Sequence, residues 1–269
     1  MNPMLRTRGI ESLSTLAAVK SCLSDVAKKL TGRVAQTCGR RHLHWWSGWY
    51  DATTRIRSLS CHADATLCLR RPQHSNTEIM NAKRVLELGS GLGLVGNSLA
   101  RMGVGHVTVT DMPQQMELLR ANVEANSGTV DISVEAAALL WGAPLERTLT
   151  GRDVIVAADL VYDEALVAPL ANTVSKLLLG PGAALNACGL FALPDHRDFG
   201  YCRQGSEEVL SDYEMLFDML AKEGLQTEQV ASVPSAELCA WEASQPGVAI
   251  EGRSYNVHLF IVRQQTTNM

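Results

Sequence analysis

The chain has 269 residues, 46% of them hydrophobic and 19% charged, as in a globular protein with one large domain or one domain and an extension. Its formal net charge of -4 gives no overall positive field for phosphates, which argues against a nucleic-acid partner. No apolar run in the sequence approaches the roughly 18 residues that span a bilayer, so we expect no membrane partner.

The cysteines and the first residues bear on the cellular compartment. The seven cysteines are scattered and none has CxxC spacing, which predicts free thiols and a cytoplasmic protein. Residues 1–45 are basic and rich in serine, with apolar residues at helical spacing, so a mitochondrial transit peptide is the alternative. Because Glu11 and Asp25 are atypical of transit peptides, we expect an ordinary amphipathic helix packed on the domain.

The chain divides near residue 80. Residues 1–80 lack strand–helix alternation and predict a helical or irregular N-terminal extension, which includes the aromatic cluster Trp45, Trp46, Trp49 and Tyr50. The His and Cys residues at 42–62 match no zinc-site spacing, so no metal site is predicted. Residues 81–269 are predicted to form the main domain.

Short buried strands alternate with helices from residue 83 onward, which predicts an α/β fold with a parallel, doubly wound sheet of seven strands. In chain order, the predicted strands are 84–88, 106–110, 131–138, 153–158, 183–188, 225–233 and 255–262. The predicted helices are 94–102, 113–126, 164–179 and 207–223. The polar stretch before the final strand carries no helix signal, so that last strand is predicted to be antiparallel to its neighbours.

The strongest chemical signal is the sequence ELGSGLG, residues 87–93, at the predicted turn from the first strand into the first helix. Glycines there let a ligand approach the backbone closely, and the helix N-terminus offers unpaired N–H groups. The overlapping GLGLVG, residues 91–96, also matches the GxGxxG pattern of dinucleotide binding, so a nicotinamide-dependent dehydrogenase is an alternative. Glu87 favours a ligand with a cationic amino or sulfonium group over a pyrophosphate, whereas Asp111, at the end of the second strand, suits the ribose of either cofactor.

Five segments together, VLELGSGLGLVG, VTVTD, LLRANVEAN, LLWG and ADLVYDE, resemble the seven-strand protein methyltransferases often called methyltransferase family 16. The resemblance covers about residues 83–262. It implies a Rossmann-like class I methyltransferase fold, S-adenosyl-L-methionine as cofactor, and methylation of a lysine on a protein substrate. It also implies a monomer. Arginine, histidine or a small amine as acceptor, and a degenerate cofactor-binding interaction protein, remain as alternatives.

The resemblance also implies roles for single residues. Glu87, Gly89, Ser90, Gly91 and Gly93 match the loop that holds the methionine end of the cofactor, and Asp111 matches the ribose ligand. Trp141 matches an indole that packs on the adenine, and Ala158 a small residue that lines the pocket. Asp159 and Tyr162 match the catalytic pair at the methyl-transfer face.

These roles compete with structural explanations. Asp111 and Asp159 could each be a helix N-cap, Trp141 a core residue and Tyr162 a packed residue at a helix start. In the functional interpretation, Asp159 lies where open α/β sheets bind ligands. An acceptor lysine, with a reference pKa of about 10.4, must lose its proton, and desolvation favours that loss. Asp159 and Tyr162 would then orient the amine.

Overall fold

The computed structural model describes residues 81–127, 133–195, 201–202, 209–210, 212–234 and 256–265. The predicted N-terminal extension, with its amphipathic helix, lies outside these residues. The same is true of most of the segment that was predicted to join the last two strands without a helix.

Strands and helices alternate along the described chain. The strands are β1 Arg84–Leu88, β2 His106–Asp111, β3 Val134–Ala138, β4 Val154–Ala158, β5 Cys188–Pro194, β6 Tyr201–Cys202, β7 Val209–Leu210, β8 Leu225–Val233 and β9 Val257–Gln264. The helices are α1 Leu94–Arg101, α2 Met116–Ser127, α3 Glu164–Leu179 and α4 Asp212–Lys222, with short 3-10 turns at Pro113–Gln115 and Arg147–Leu149.

Seven of these strands form one sheet in the order β3-β2-β1-β4-β5-β9-β8, while β6 and β7 pair separately. The pairs from β3 through β5 are all parallel, and β9 runs antiparallel to both β5 and β8. The predicted doubly wound sheet with an antiparallel last strand is therefore confirmed. The strand order reverses between β1 and β4, and open α/β sheets bind ligands in the crevice at the carboxyl ends of such a strand pair.

Helices cover both faces of the sheet, which is why its central strands are continuous apolar runs rather than alternating ones. One buried cluster joins α1 and α2 to the sheet through residues such as Val95, Leu99 and Leu119. The other joins α3 and α4 to the opposite face through residues such as Leu170 and Leu216. The two clusters hold the β1 and β4 ends in place. None of the described helices is both long and apolar enough to cross a membrane.

The predicted fifth strand, 183–188, is wrong. Residues 183–187 form turns, in which Ala183 N donates to Gly180 O and Ala187 N to Ala184 O, and Asn186 has a φ of 62°. The strand is Cys188–Pro194. The sequence did not indicate it because Gly189 and Pro194 are both atypical of strands. Gly189 leaves space for a neighbour, since a Cβ there would lie 2.8 Å from Phe191 Cε1.

The helix predicted at 207–223 begins too early. Val209–Leu210 pairs antiparallel with Tyr201–Cys202, and the helix covers Asp212–Lys222. The apolar residues of β7 continue the helical spacing of α4, so periodicity did not separate them. The last strand also lies two residues later than predicted, at Val257–Gln264. The predicted bounds of β1, α3 and β8 agree with the structure.

Candidate functional site

The loop between β1 and α1 contains three glycines in the left-handed region. The φ angles of Gly89, Gly91 and Gly93 are 57°, 53° and 78°, values that only glycine adopts without cost. A Cβ on Gly89 would lie 2.5 Å from Leu160 Cδ2 and 3.1 Å from Trp141 Cζ2. The structure therefore brings the predicted glycine loop against the predicted Trp141 and against the turn that follows β4.

Glu87 is buried beneath this loop, with 1% of its surface exposed. Its Oε2 accepts a hydrogen bond of 2.9 Å from Gly96 N in the first turn of α1. Gly96 has no space for a side chain, because a Cβ would overlap Val109 and lie 2.7 Å from Glu87 Oε2. Burial, with a smaller contribution from Asp111, raises the pKa of Glu87 to about 8. The other oxygen, Oε1, is buried without a hydrogen-bond partner, so a cation brought to this site would stabilise the carboxylate.

The same contacts argue against dinucleotide binding. Gly91 N donates to Asp111 Oδ2 at 2.7 Å, and Gly96 N donates to Glu87 Oε2. A pyrophosphate at a helix N-terminus uses backbone N–H groups of this kind. Because carboxyl oxygens already accept from both groups, the GxGxxG match of residues 91–96 does not provide the anion site that a dehydrogenase needs.

Asp111 connects the end of β2 to the glycine loop. Its Oδ1 accepts from Met112 N at 2.7 Å, in addition to the bond from Gly91 N. The N-cap of the next 3-10 turn is Met112, so Asp111 is not a helix cap. A carboxylate oxygen can accept more than one hydrogen bond, so the chemistry of Asp111 suits a hydrogen bond from a ligand hydroxyl.

Ser90 lies on the inner side of the loop and is fully buried. Its N–H donates to Thr110 O at 2.8 Å, and its hydroxyl accepts from Thr110 N at 3.0 Å. Ser90 thus fixes the loop to the end of β2. A direct contact between Ser90 and a cofactor stays a prediction.

The turn between β4 and α3 carries Asp159, which directly follows β4 and has a φ of 52°. Such a value is uncommon for a residue other than glycine, and although aspartate adopts it more readily than most residues, it costs free energy relative to glycine. Leu160 and Val161 are buried and anchor the turn on its inner side. Strain of this kind is frequent at functional sites.

Two of the structural explanations, Asp159 as a helix cap and Tyr162 as a packed residue, are excluded. Asp163 caps α3, because its Oδ1 accepts from Ala165 N at 2.9 Å, so Asp159 is not the cap of this helix. Tyr162 is 41% exposed, so it is not a packed helix-start residue. Asp159 and Tyr162 therefore lie together on a turn beside the glycine loop, where neither is explained by helix capping or by core packing.

Trp141 and Ala158 border the same crevice. Trp141 follows β3, is partly buried, and packs against the apolar cluster on the α3 side of the sheet. Ala158 ends β4 opposite Ala192 of β5 and packs in the cluster on the α1 side. Contacts of these two residues with adenine and with the cofactor pocket stay predictions.

Sequence reasoning missed the polar side chains that support the loop from behind. Thr110 Oγ1 donates to Glu87 O at 2.6 Å, Asn97 Nδ2 to Gly93 O at 2.7 Å, and Asn122 Nδ2 to Leu92 O at 3.1 Å. All three donors belong to buried residues. The available signal was a polar residue inside an apolar helical pattern, as with Asn122 between Leu119 and Val123.

A second polar cluster lies at the amino ends of the strands, away from the crevice. Glu135 of β3 accepts from Thr108 Oγ1 at 2.7 Å and lies 3.1 Å from His106 Nε2 and 3.7 Å from Arg152. The hydrogen bond with His106 is the main reason why the pKa of Glu135 is lowered. Within the described ranges, no group of three or more His, Cys, Asp or Glu residues is suited to a metal ion.

Comparison with known proteins identifies the family of this chain. The model of a family described as lysine methyltransferase matches residues 52–189, slightly more than half of the chain. The protein N-lysine methyltransferase METTL21A of Danio rerio is 37% identical over 128 residues, which cover 46% of this chain and 58% of the relative. The EEF1A lysine methyltransferase 3 of Xenopus tropicalis is 35% identical over 103 residues, which cover 38% and 45% of the two chains. The chain thus spans about half the length of these curated relatives.

Solved structures show the same fold at low sequence identity. The S-adenosylmethionine-dependent methyltransferase SibL has a TM-score of 0.50 and 13% identity, with 77% of this chain and 56% of that chain covered. The mitomycin 7-O-methyltransferase MmcR has a TM-score of 0.50 and 14% identity, with 80% and 58% covered. Strand order, glycine loop and family match agree, and the chain belongs to the lysine methyltransferase family.

Proposed function

We propose that this chain transfers methyl groups from S-adenosyl-L-methionine to a lysine of a specific protein substrate. The main support is the arrangement at the crevice, where the turn carrying Asp159 and Tyr162 packs through Leu160 against Gly89 of the glycine loop. Family membership and the names of the two curated relatives favour lysine as the acceptor.

The charge of the crevice and the shape of its surface both suit this cofactor. The unpartnered, buried Oε1 of Glu87 suits a positively charged end, and the glycine loop exposes backbone without side chains. The carboxylate of Asp111 is the kind of acceptor that ribose hydroxyls donate to, and the indole of Trp141 offers a flat surface for adenine. When bound, S-adenosyl-L-methionine supplies a methyl group on a positively charged sulfur, which a neutral amine attacks.

The acceptor side has to deliver a neutral, oriented amine. In water the lysine amine, with a pKa of about 10.4, is protonated at neutral pH. Removal of water from the amine lowers its pKa and releases the proton to solvent. Asp159 then accepts a hydrogen bond from a remaining N–H of the amine, and the Tyr162 hydroxyl fixes its direction. Orientation is the main contribution, because an ordinary aspartate is too weak a base to remove the proton efficiently.

The test is incubation of the purified protein with radiolabelled S-adenosyl-L-methionine and a protein extract, alongside Asp159→Asn. Asparagine tolerates the left-handed backbone but carries no charge, so the variant isolates the carboxylate. We expect one labelled protein whose signal is lost in the variant, with the label recovered as methyl-lysine after hydrolysis. Recovery as methyl-arginine or methyl-histidine would assign another acceptor. Binding of S-adenosylhomocysteine without any protein label would contradict the proposal.

We also propose that the protein acts in the cytoplasm and as a monomer. Seven scattered cysteines support a reducing compartment, and Cys188 is a buried free thiol. Cell fractionation and light scattering of the purified protein test the two statements separately. Recovery in mitochondria, or a mass of twice 29.2 kDa, would contradict them.

A further inference from the structure

The backbone of the glycine loop is held by two kinds of side chain. The N–H groups of Gly91 in the loop and of Gly96 in the first turn of α1 donate to carboxyl oxygens, whereas the loop carbonyls of Leu92 and Gly93 accept from asparagine amides. Carboxylates only accept and the amide NH₂ only donates, so each side chain matches the backbone group that it faces.

The two asparagines differ in what they connect. Asn97 belongs to α1 and donates to Gly93 O, which also accepts from Asn97 N at 3.1 Å, so this contact stays within one helix start. Asn122 belongs to α2 and reaches Leu92 O from thirty positions further along the chain. Asn122 is therefore a polar tertiary contact between the loop and the helix behind it, beside the apolar side chain of Leu119, which lies next to Gly93.

A buried asparagine at this position is costly. Asn122 is fully buried, and its Oδ1 has no hydrogen-bond partner. An apolar residue of similar size would avoid the desolvation of an unpaired oxygen. The side chain offsets this cost only through its Nδ2 donor to Leu92 O, which lies between the left-handed residues Gly91 and Gly93.

We propose that Asn122 is a positioning residue for the cofactor, which holds the Leu92 carbonyl inward and thereby keeps the glycine loop in its ligand-binding shape. This inference rests on the proposed function of the loop as the cofactor site. Asn122 does not act on the reaction itself, because its contact is with the inner side of the loop. Its loss lowers the affinity for the cofactor and leaves turnover at saturation nearly unchanged.

Asn126 provides a matched control one turn further along α2. It is 2% exposed, and its Nδ2 donates to Asn122 O within the same helix at 2.8 Å. Its Oδ1 accepts from Arg101 NH2 at 3.1 Å, so it joins α1 to α2 without contact to the loop. Substitution of either asparagine removes a buried amide, but only Asn122 bonds a loop carbonyl.

The experiment compares full-length Asn122→Ala, Asn122→Asp and Asn126→Ala with the unmodified protein. Calorimetry measures the Kd for S-adenosylhomocysteine, thermal melting measures stability, and steady-state kinetics separate KM for the methyl donor from kcat. We expect both Asn122 variants to raise Kd and KM by about tenfold, because a buried carbonyl loses its donor. Asn126→Ala should lower the melting temperature comparably and change Kd by less than about twofold.

Hydrogen–deuterium exchange of residues 89–97 in the cofactor-free protein gives a readout that needs no ligand. Faster exchange of these amides in Asn122→Asp but not in Asn126→Ala is expected. An unchanged Kd in folded Asn122 variants, or an equal change in Asn126→Ala, would overturn the positioning role. Failure of the unmodified protein to bind S-adenosylhomocysteine would instead contradict the proposed function.

Discussion

Two loops meet at the crevice, and they differ in the side chains that anchor them. The β1–α1 loop is bonded on nearly every side: Ser90 to Thr110, Gly91 to Asp111, and the Leu92 carbonyl to Asn122. The β4–α3 turn is anchored by the buried Leu160 and Val161 and by a hydrogen bond of 3.1 Å from Asp159 N to Ala192 O, and it carries a left-handed Asp159 and an exposed Tyr162.

This difference corresponds to two different tasks. A loop fixed before its ligand arrives loses little entropy on binding, which favours affinity. A turn that receives a large partner from solvent has to present side chains outward, and local backbone strain is one way to direct them. We therefore expect substitutions in the first loop to change cofactor affinity and those in the second to change turnover.

The largest expected effect is the loss of cofactor binding in Gly91→Arg. Arginine at a φ of 53° is strained, and its side chain would displace the Gly91 N–H from Asp111. Calorimetry with S-adenosylhomocysteine should show a Kd raised by more than about 100-fold, because both the loop shape and the space are lost.

The control for this variant is Gly103→Arg. Gly103 has a φ of 85° at the far end of α1, and no atom lies within 4 Å of a Cβ placed there. The Gly103→Arg variant introduces the same side chain and similar backbone strain away from the crevice. Equal loss of binding in both variants would mean that strain alone, and not the position of Gly91, is responsible.

The next effect concerns turnover. Asp159→Asn should lower kcat by roughly 100-fold and Tyr162→Phe by about tenfold, because each removes a group that orients the amine. The Kd for S-adenosylhomocysteine should stay within about twofold in both, since the glycine loop is untouched. A raised Kd with normal kcat in either variant would assign that residue to cofactor binding and not to turnover.

The elements that sequence reasoning predicted well are those with a strong local signal. The end of α3 follows from Gly180 after it, whereas its N-cap is Asp163 and not Asp159, and the bounds of β1 follow from a short apolar run that ends in glycines. The 183–188 strand failed because Ala183 and Ala184 have no distinct preference, while the true strand contains Gly189 and Pro194.

Sequence reasoning could identify only the site residues whose side chains would contact a ligand directly. Glu87 was recognised as acidic, but its bond to Gly96 N depends on how α1 packs over β1, which no local pattern encodes. Asn122 supports the loop from thirty positions away, a contact that exists only after the two helices pack on the sheet. Asp159 has a left-handed backbone next to the buried Leu160, a conformation that no local pattern predicted.

A separate effect, on stability rather than on binding or turnover, is the pH dependence that arises from Glu87. Its pKa is about 8 in the folded protein and near 4.5 when unfolded, so the folded state binds more protons between these values. Stability from this group is complete below pH 4.5 and is lost as pH rises through 8, at about 1.4 kcal/mol per pH unit. Urea unfolding at several pH values, with Glu87→Gln as control, isolates this slope from histidine titration. The same slope in the variant would assign it to other groups.

The smallest effect distinguishes strain from chemistry in the β4–α3 turn. At a φ of 52°, glycine should be more stable than alanine by about 1 kcal/mol, so Asp159→Gly should unfold at higher urea than Asp159→Ala. Asn186, with a φ of 62° in the turn before β5, should show the same order for its glycine and alanine variants. Only the Asp159 pair should lose methyl transfer. If alanine is the more stable residue at position 159 but not at 186, the turn is not strained in solution, and backbone strain does not contribute to the placement of Asp159.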